Sequence, residues 1–307
     1  MKRAVVLGAN GLLGTHLVPA LANRGVAVVA VDRYRDEPRF AAHPLITTVL
    51  KDTDLLDGLS DALTGADAVF DLVSKGTPAT KVDDVTGVIN LRRDQFAELL
   101  QHVTDAGVRE FHLLSTGGAM FGNTPGDTFT EEQQPAPLSA YAREKHVLEE
   151  SLATFAQTHP LKFVIYRGGN FWGLPIIPRQ KHRMISTTLR HIAVGEPAYR
   201  LGDGSMVRDY IHAANAAEMI ATIATAPARK HSVYNIGTGV GTTVNEVFDV
   251  IRQVIGRDFE IIDEPQPEGY ANGYALDISR YANEFGAPTF VSFPTGISEI
   301  WAELTTK

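Results

Sequence analysis

Ala4-Val5-Val6-Leu7-Gly8-Ala9-Asn10-Gly11-Leu12-Leu13-Gly14 joins a short apolar run to a glycine-rich turn. The run is apolar at every position, which is typical of a strand covered on both faces. A helical pattern follows over residues 12–23 and begins inside the turn. The stretch therefore predicts a buried first strand, a tight turn and a helix, the repeating unit of parallel α/β sheets.

The same alternation continues through the first half of the chain. Further apolar runs predict strands at residues 26–31, 46–50, 68–73, 111–114 and 163–166. Longer helical patterns, such as residues 90–106, lie between them. We therefore predict an α/β fold built on a Rossmann-type, doubly wound parallel sheet.

After residue 166 the alternation weakens, and Gly, Pro and aromatic residues become frequent. The patterns predict helices at residues 184–194 and 244–255, a loop that leads into a helix at 202–226, and a strand at 234–236. We therefore expect a smaller, mixed α/β C-terminal substrate domain. The predicted dinucleotide-binding domain is residues 1–170 plus about 208–240, and the predicted substrate-binding domain is about 171–207 plus 241–307.

The composition argues against several functional classes. A chain of 307 residues, 44% hydrophobic, can bury a sizeable core. Its net charge of -8 disfavours nucleic acid as a partner, and no apolar run is long enough to predict a membrane span. The lack of cysteine excludes disulfides and Cys-ligated zinc and fits a cytoplasmic protein. The ten histidines show no metal-ligand spacing, so we expect no metal site.

The opening turn has the spacing G-x-x-G-x-x-G. Gly8, Gly11 and Gly14 would let a pyrophosphate approach backbone N–H groups, and the helix N-terminus adds a favourable partial charge. Asn10 and Leu12 lie in the same turn and are also candidate cofactor contacts. The match to G-x-G-x-x-G is loose, so an ordinary strand-to-helix turn is the alternative.

Acidic residues end the second and third predicted strands. A carboxylate at Asp32 can accept hydrogen bonds from both ribose hydroxyls and would repel a 2′-phosphate, which favours NAD over NADP. The neighbouring Arg33 counts against this preference but is a further candidate contact. Asp52 and Thr53 follow the third strand and are candidates for the adenine edge, with a solvated turn as the alternative.

Tyr141-Ala142-Arg143-Glu144-Lys145 opens a predicted helix for which Ser139 is a suitable N-cap. Tyr141 and Lys145 lie one turn apart and head an inward-facing stripe that continues with apolar residues at 148, 152 and 155. A nearby ammonium stabilises a phenolate, so we predict that Tyr141 acts as a base. The alternative is a structural tyrosine beside a lysine with a buried stem.

Ser115-Thr116-Gly117-Gly118 follows the fifth predicted strand, at the sheet edge where ligands bind. We predict that the Thr116 hydroxyl bonds the reacting oxygen, with Ser115 as the second choice. An ordinary Ser/Thr/Gly turn would give the same pattern.

Taken together, these residues resemble the extended short-chain dehydrogenase/reductase family, and within it the NAD-dependent epimerases and dehydratases similar to UDP-glucose 4-epimerase. The resemblance covers nearly the whole chain. It also rests on the segments RGGNFWG at 167–173, GDGSMVRDYIH at 202–212 and YNIGTG at 234–239.

The resemblance implies NAD as cofactor, a nucleotide sugar as substrate and a homodimer formed through two helices of each chain. By the same resemblance, Asn170 would contact the substrate phosphate, Arg208 would pair with the diphosphate, and Asn90 would be a buried asparagine. The implied cofactor contacts also include Leu72, Val73, Ser74, Ser115, Tyr141 and Lys145. The implied substrate contacts also include Pro78, Thr116, Gly117 and Arg179.

Three sequence features qualify the resemblance. A basic cluster, Arg179, Lys181, His182 and Arg183, falls in the loop that faces the phosphate in the family, with a solvated loop as the equal alternative. The late loop at residues 265–270 has no arginine where family epimerases carry one. The second aspartate that usually follows His212 is also missing.

The residues beside Thr116 distinguish between the family's reactions. Dehydratases need an acid and a base at the positions of Gly117 and Gly118, which cannot move protons. Reductases often prefer NADPH, which Asp32 disfavours. We therefore predict C4 epimerisation of a UDP-hexose through a transient 4-keto sugar, with Thr116, Tyr141 and Lys145 as catalytic residues.

Two alternatives stay open. One is a reductase or dehydrogenase of the same family that acts on another sugar or carbonyl compound, and the missing late arginine favours it. The other, ranked last because the Tyr/Lys pair is retained, is a non-catalytic NAD-sensing regulator.

Overall fold

The computed structural model describes residues 1–34, 37–50, 58–74, 83–122, 128–177, 183–266 and 273–306. The strands within these ranges are β1 (Arg3–Leu7), β2 (Ala27–Asp32), β3 (Ile46–Leu50), β4 (Ala68–Asp71), β5 (Glu110–Thr116), β6 (Thr128–Phe129), β7 (Lys162–Gly168), β8 (Asn170–Trp172), β9 (Ala198–Leu201), β10 (Val207–His212), β11 (Val233–Ile236), β12 (Gly241–Thr243), β13 (Ile261–Glu264) and β14 (Ala275–Leu276).

The α-helices are α1 (Leu12–Ala22), α2 (Leu59–Leu63), α3 (Val85–Asp105), α4 (Ala140–Thr158), α5 (Met184–Ala193), α6 (Ala213–Thr225), α7 (Val244–Ile255), α8 (Ser279–Phe285) and α9 (Phe293–Thr305). In the described part of the chain, one 3-10 turn spans Gly118–Met120. Within the described ranges, no helix combines the length and apolar character needed to cross a membrane.

Seven strands form one parallel sheet in the order β11-β7-β5-β4-β1-β2-β3. From β1 the chain first builds outward through β2 and β3, and then returns to add β4 on the other side. Loops leave β1 and β4 in opposite directions, so a crevice forms at the carboxyl ends of these two strands. The predicted Rossmann-type parallel sheet is confirmed.

Alternate residues of β1 pack into two different core layers. Ala4 and Val6 lie in the layer formed with α1 and α6, whereas Val5 and Leu7 lie in the layer formed with α2, α3 and α4. All four side chains are fully buried, and each large one stabilises the fold by about 1.5–3 kcal/mol. Burial on both sides explains why the run has no polar position.

A third core cluster lies beside the main sheet and joins α5, α7 and α9 to β8, β9 and β10. Three small sheets accompany it, with the orders β12-β10-β8, β13-β9 and β14-β6. β12 runs antiparallel to β10, whereas the other small-sheet pairs are parallel. This part of the chain is therefore mixed α/β as expected, and the exact division into two domains stays a prediction.

Two elements differ from the sequence expectation. Helix α3 begins at Val85 rather than residue 90, because the Asp84 carboxylate accepts a hydrogen bond from the Gly87 N–H at 2.8 Å and caps the helix. The stretch expected to be a loop before α6 contains β10, whose pairing with β8 and β12 is a long-range contact. Local sequence patterns do not report such pairing.

Asp209 of β10 is a buried carboxylate that ties three segments together. One carboxylate oxygen accepts hydrogen bonds from the backbone N–H and the hydroxyl of Thr238, both at 2.8 Å. The other accepts from the N–H groups of Gly239 at 3.0 Å and Leu276 at 3.1 Å. Burial raises the pKa of Asp209, and these hydrogen bonds act against that rise. Asp209 therefore fixes β14 against β10.

We expect Asp209→Asn to lower the free energy of unfolding by about 3 kcal/mol, since an amide directs N–H groups at backbone donors that need an acceptor. Denaturant unfolding measures the loss. Asp249→Asn, on the exposed side of α7, is the control and should change stability by less than about 0.5 kcal/mol. Equal stability of the two variants would contradict the anchoring role of Asp209.

Candidate active site

The glycine turn lies at the carboxyl end of β1 and is shaped by two steric requirements. Gly8 has a φ of +81°, a conformation that glycine adopts without strain. A Cβ atom at Gly14 would collide with the carbonyl oxygens of Gly8 and Ala9. The Gly11 N–H donates to the Gly8 carbonyl at 3.1 Å, which closes the turn. Leu12 then begins α1. The first N–H groups of this helix have no partner within the helix and suit a pyrophosphate.

Asp32 lies beside this turn because β1 and β2 are neighbours in the sheet. Its half-buried carboxylate accepts hydrogen bonds from the Asn10 N–H at 2.8 Å and the Arg33 N–H at 2.7 Å. The Asn10 side-chain oxygen in turn accepts a hydrogen bond from the Arg39 N–H at 2.8 Å. This bond holds the segment after β2 close to the glycine turn. The carboxylate is therefore fixed next to the phosphate-binding turn, an arrangement that fits NAD, whose ribose has a free 2′-hydroxyl. Arg33 itself is exposed.

The end of β4 touches the other side of the turn. The Leu72 N–H donates to the Leu7 carbonyl at 3.1 Å, and the Gly8 α-carbon packs against Leu72. The Val73 N–H donates to the buried Asp71 carboxylate at 3.0 Å. Leu72, Val73 and the exposed Ser74 thus follow the crevice beside the glycine turn, where we predicted cofactor contacts.

Lys145 joins the ends of two strands at this edge. Its ammonium donates to the Leu114 carbonyl of β5 at 2.9 Å and reaches the Val73 carbonyl at 3.5 Å. Only 2% of the residue is exposed, so burial lowers the pKa of Lys145, whereas the Asp71 and Glu144 carboxylates raise it. Lys145 is therefore held at the crevice by carbonyl oxygens of β5 and the segment after β4.

Tyr141 and Thr116 form the polar centre of the site. Helix α4 begins at Ala140, and the Ser139 hydroxyl caps it by accepting from the Ala142 N–H at 3.2 Å. This start directs the Tyr141 side chain towards the buried Thr116 hydroxyl, which lies near enough to lower the pKa of Tyr141. The structure thus brings the predicted base and the predicted hydroxyl together.

The pKa of Tyr141 departs from the direction that we expected. Burial raises it to about 12, and the Glu144 carboxylate adds to that rise. The nearby Thr116 hydroxyl and the charge of Arg183 lower it, but by less. The Lys145 ammonium is hydrogen-bonded to the backbone carbonyls of Leu114 and Val73. The catalytic role of Tyr141 and Lys145 stays a prediction.

One aromatic and one aliphatic side chain, Tyr274 and Leu276, fill the space beside Thr116. A Cβ atom at Gly118 would lie inside the ring of Tyr274, and one at Gly117 would meet the side chain of Leu276 at 2.6 Å. Gly117 and Gly118 are the two residues that follow Thr116 in the chain. Any larger residue at position 117 or 118 would displace a buried side chain, so only glycine fits there without such a displacement.

The candidate phosphate contacts, Asn170 and Arg208, both lie next to Tyr274. The Tyr274 hydroxyl donates to the Asn170 side-chain carbonyl at 2.8 Å. The guanidinium of Arg208 lies 5.3 Å from the Tyr274 ring centre and donates to the Val207 carbonyl at 2.7 Å. Asn170, Arg208 and Gly118 therefore surround one aromatic ring, although they are distant in sequence.

Several residues near Tyr141 were not among the predicted site residues. Tyr274 comes shortly after the late loop at residues 265–270 in the sequence and belongs to no local sequence motif. Arg183 was noticed only as part of the basic cluster; its guanidinium donates to the Phe171 carbonyl at 2.9 Å, and burial lowers its pKa to about 10 while Tyr141 raises it. Glu144 lies three positions after Tyr141, a helical spacing that placed it on the same side.

Other predictions have separate outcomes. Ser115 is buried, and its hydroxyl has no hydrogen-bond partner among the described residues. The expectation of a buried Asn90 is wrong, because this residue is exposed on α3, and the polar side chain that α3 turns towards α4 is Arg92. Asp52, Thr53, Pro78, Arg179, Lys181 and His182 lie outside the described residues.

Comparison with known proteins agrees with this geometry. The model of the NAD dependent epimerase/dehydratase family matches residues 4–237. The chain is 25% identical to a UDP-glucose 4-epimerase of Mycolicibacterium smegmatis, over 97% of this chain and 96% of that protein.

Two solved structures have the same fold. A Thermotoga maritima UDP-glucose 4-epimerase, determined with UDP-glucose, superposes with a TM-score of 0.88 at 25% identity and full coverage of both chains. A Thermus thermophilus UDP-glucose 4-epimerase, determined with NAD, gives 0.87 at 25% identity and 99% coverage of both.

The family match extends from the first strand to the segment after β11, and so includes the glycine turn, Asp32, Thr116, Tyr141 and Lys145. The resemblance stated from the sequence is confirmed, and NAD is confirmed as the cofactor. The chain belongs to the NAD-dependent epimerase/dehydratase family of extended short-chain dehydrogenases/reductases.

Proposed function

We propose that the protein is a nucleotide-sugar epimerase that inverts C4 of a UDP-hexose through a transient 4-keto sugar. The observation that carries the proposal is that Tyr141 and Thr116 lie together, with glycine at both positions that follow Thr116. Epimerisation needs one group that takes and returns a proton, and Tyr141 supplies it. Elimination of water needs further acid and base groups, and Leu276 and Tyr274 fill the space where they would stand.

Tyr141 and Thr116 act on the same substrate oxygen. Tyr141 takes the proton of the C4 hydroxyl while the C4 hydrogen leaves as hydride, and the C4–O bond becomes a carbonyl. Thr116 donates a hydrogen bond to that oxygen and orients it. When bound, NAD accepts and returns this hydride and, in its oxidised form, brings a positive charge that favours the phenolate.

Inversion requires that the 4-keto sugar turn over before the proton and the hydride return. Asn170 and Arg208 hold the diphosphate in this proposal, so the nucleotide stays in place while the sugar rotates about its bonds to it. Lys145 holds the edge of the crevice and adds positive charge there. The identities and names of the similar proteins support a nucleotide sugar as the substrate.

A reductase that acts on another sugar or carbonyl compound is the second candidate. The late loop favours it, because residues 265–270 contain no arginine to complete the diphosphate site. Net consumption of NADH with a carbonyl substrate, without interconversion of UDP-glucose and UDP-galactose, would replace the epimerase proposal. A cytoplasmic location and a homodimer are further parts of the proposal, supported by the family resemblance.

We expect Tyr141→Phe to reduce the rate of UDP-glucose/UDP-galactose interconversion by about 10³-fold, because the phenyl ring cannot accept the proton. NAD released on denaturation should equal that of the unaltered protein. Tyr199→Phe removes the hydroxyl of an exposed tyrosine on β9 and should retain full activity. Activity that survives Tyr141→Phe would exclude Tyr141 as the base.

We expect Asp32→Ala to raise the Kd for NAD by about 10–100-fold, since two ribose hydrogen bonds and the brace to the Asn10 N–H are lost. The ratio of NADP affinity to NAD affinity should increase, because the carboxylate no longer repels a 2′-phosphate. Calorimetric titration measures both. Asp61→Asn, exposed on α2, serves as the control. An unchanged ratio would show that Asp32 does not select the cofactor.

A further inference from the structure

Helices α3 and α4 share a buried ion pair, and its α4 member lies about one helical turn from Tyr141. The Arg92 guanidinium of α3 lies 3.1 Å from the Glu144 carboxylate of α4, and only 13% and 8% of these side chains are exposed. Arg92 also donates to the Gln95 side-chain carbonyl at 3.2 Å, which fixes its direction. Arg92 therefore provides Glu144 with its opposite charge inside the protein.

The position of Glu144 makes its charge relevant to Tyr141. The two residues are three positions apart on α4, which places them on the same side of the helix; Glu144 is buried and Tyr141 is half-buried. Charges interact more strongly there than at a surface, because little water screens them. A carboxylate at this place opposes formation of the phenolate, and the guanidinium of Arg92 offsets it.

We propose that Arg92 is a positioning residue which, by pairing with Glu144, sets the pH range over which Tyr141 can accept a proton. The proposal rests on the proposed role of Tyr141 as the base. Arg92 touches neither cofactor nor substrate in it and acts through Glu144. Among the residues that the structure describes, the charged or titratable groups that face Tyr141 or Glu144 are Arg92, Lys145, Arg183, Asp71 and Tyr274.

The expected directions follow from the charges. Without the Arg92 cation, the Glu144 carboxylate loses its paired guanidinium, and the pKa of Tyr141 rises. When Glu144 is neutral and Arg92 keeps its charge, the pKa of Tyr141 falls. When both are neutral, the two effects cancel. A base must be deprotonated to act, so the acidic limb of the activity profile follows the pKa of Tyr141.

The test compares Arg92→Gln, Glu144→Gln and the double variant in the NAD-loaded enzyme. The acidic limb of kcat/KM against pH should move up by about one pH unit in Arg92→Gln and down by about one in Glu144→Gln. The double variant should return close to the original profile. Arg93→Gln is the matched control, since Arg93 is the next residue of α3 and its side chain is half exposed beside Asp94.

A second measurement does not depend on turnover. The ultraviolet absorbance of the phenolate is titrated in each variant, and the same titration in the Tyr141→Phe background is subtracted. The difference should show the same upward shift in Arg92→Gln and downward shift in Glu144→Gln, with little change in the double variant. If Arg92→Gln does not fold, the downward shift in Glu144→Gln carries the test, and Arg92→Lys should keep the original profile.

The outcomes separate the two proposals. Profiles and titrations that coincide for all variants, with Tyr141→Phe inactive, would overturn the role of Arg92 and leave the proposed function standing. Full activity of Tyr141→Phe would overturn the proposed function itself. If the ion pair is purely structural, both single variants should be less stable than the unaltered protein. Their acidic limbs should then not move in opposite directions.

Discussion

The hydrogen bonds from Lys145 to carbonyl oxygens at the ends of β4 and β5 are the contact on which the candidate site depends. A buried ammonium costs several kcal/mol unless oxygen atoms surround it, so α4 can dock only where these carbonyls converge. That position is the crevice beside β1, where the glycine turn also lies. The same contact therefore sets the distance between α4 and the cofactor turn, and it brings Tyr141 to Thr116.

Helix α4 carries more buried charge than an ordinary core helix, and each charge has its own partner. Glu144 pairs with Arg92, and Glu149 forms a bidentate pair with Arg167 of β7, with a closest contact of 2.8 Å. Removal of one member would leave a buried charge without compensation, which is far more destabilising than the loss of both. The helix thus holds a polar face at the site because the neighbouring strands and α3 supply matching charges.

The sequence was sufficient to predict the parallel sheet and the glycine turn, because apolar runs and turn glycines are local signals. It also singled out Thr116, Tyr141 and Lys145, and their catalytic role stays a prediction. The small sheets were missed, since strands of two to six residues such as β10 and β14 form through distant partners. The contacts of Tyr274 with Gly118 and of Arg92 with Glu144 join residues far apart in sequence. The direction of the Tyr141 pKa shift depended on burial, which the helical spacing alone does not measure.

The close fit of the Tyr274 ring against Gly118 has a consequence for mutation at position 118. A mutation that placed an acidic residue at this position would meet a buried ring and lose stability before it gained any new chemistry. An acidic side chain at position 118 would therefore fit only beside a smaller residue at position 274, in a different part of the chain, and that second change would also free the Asn170 side chain.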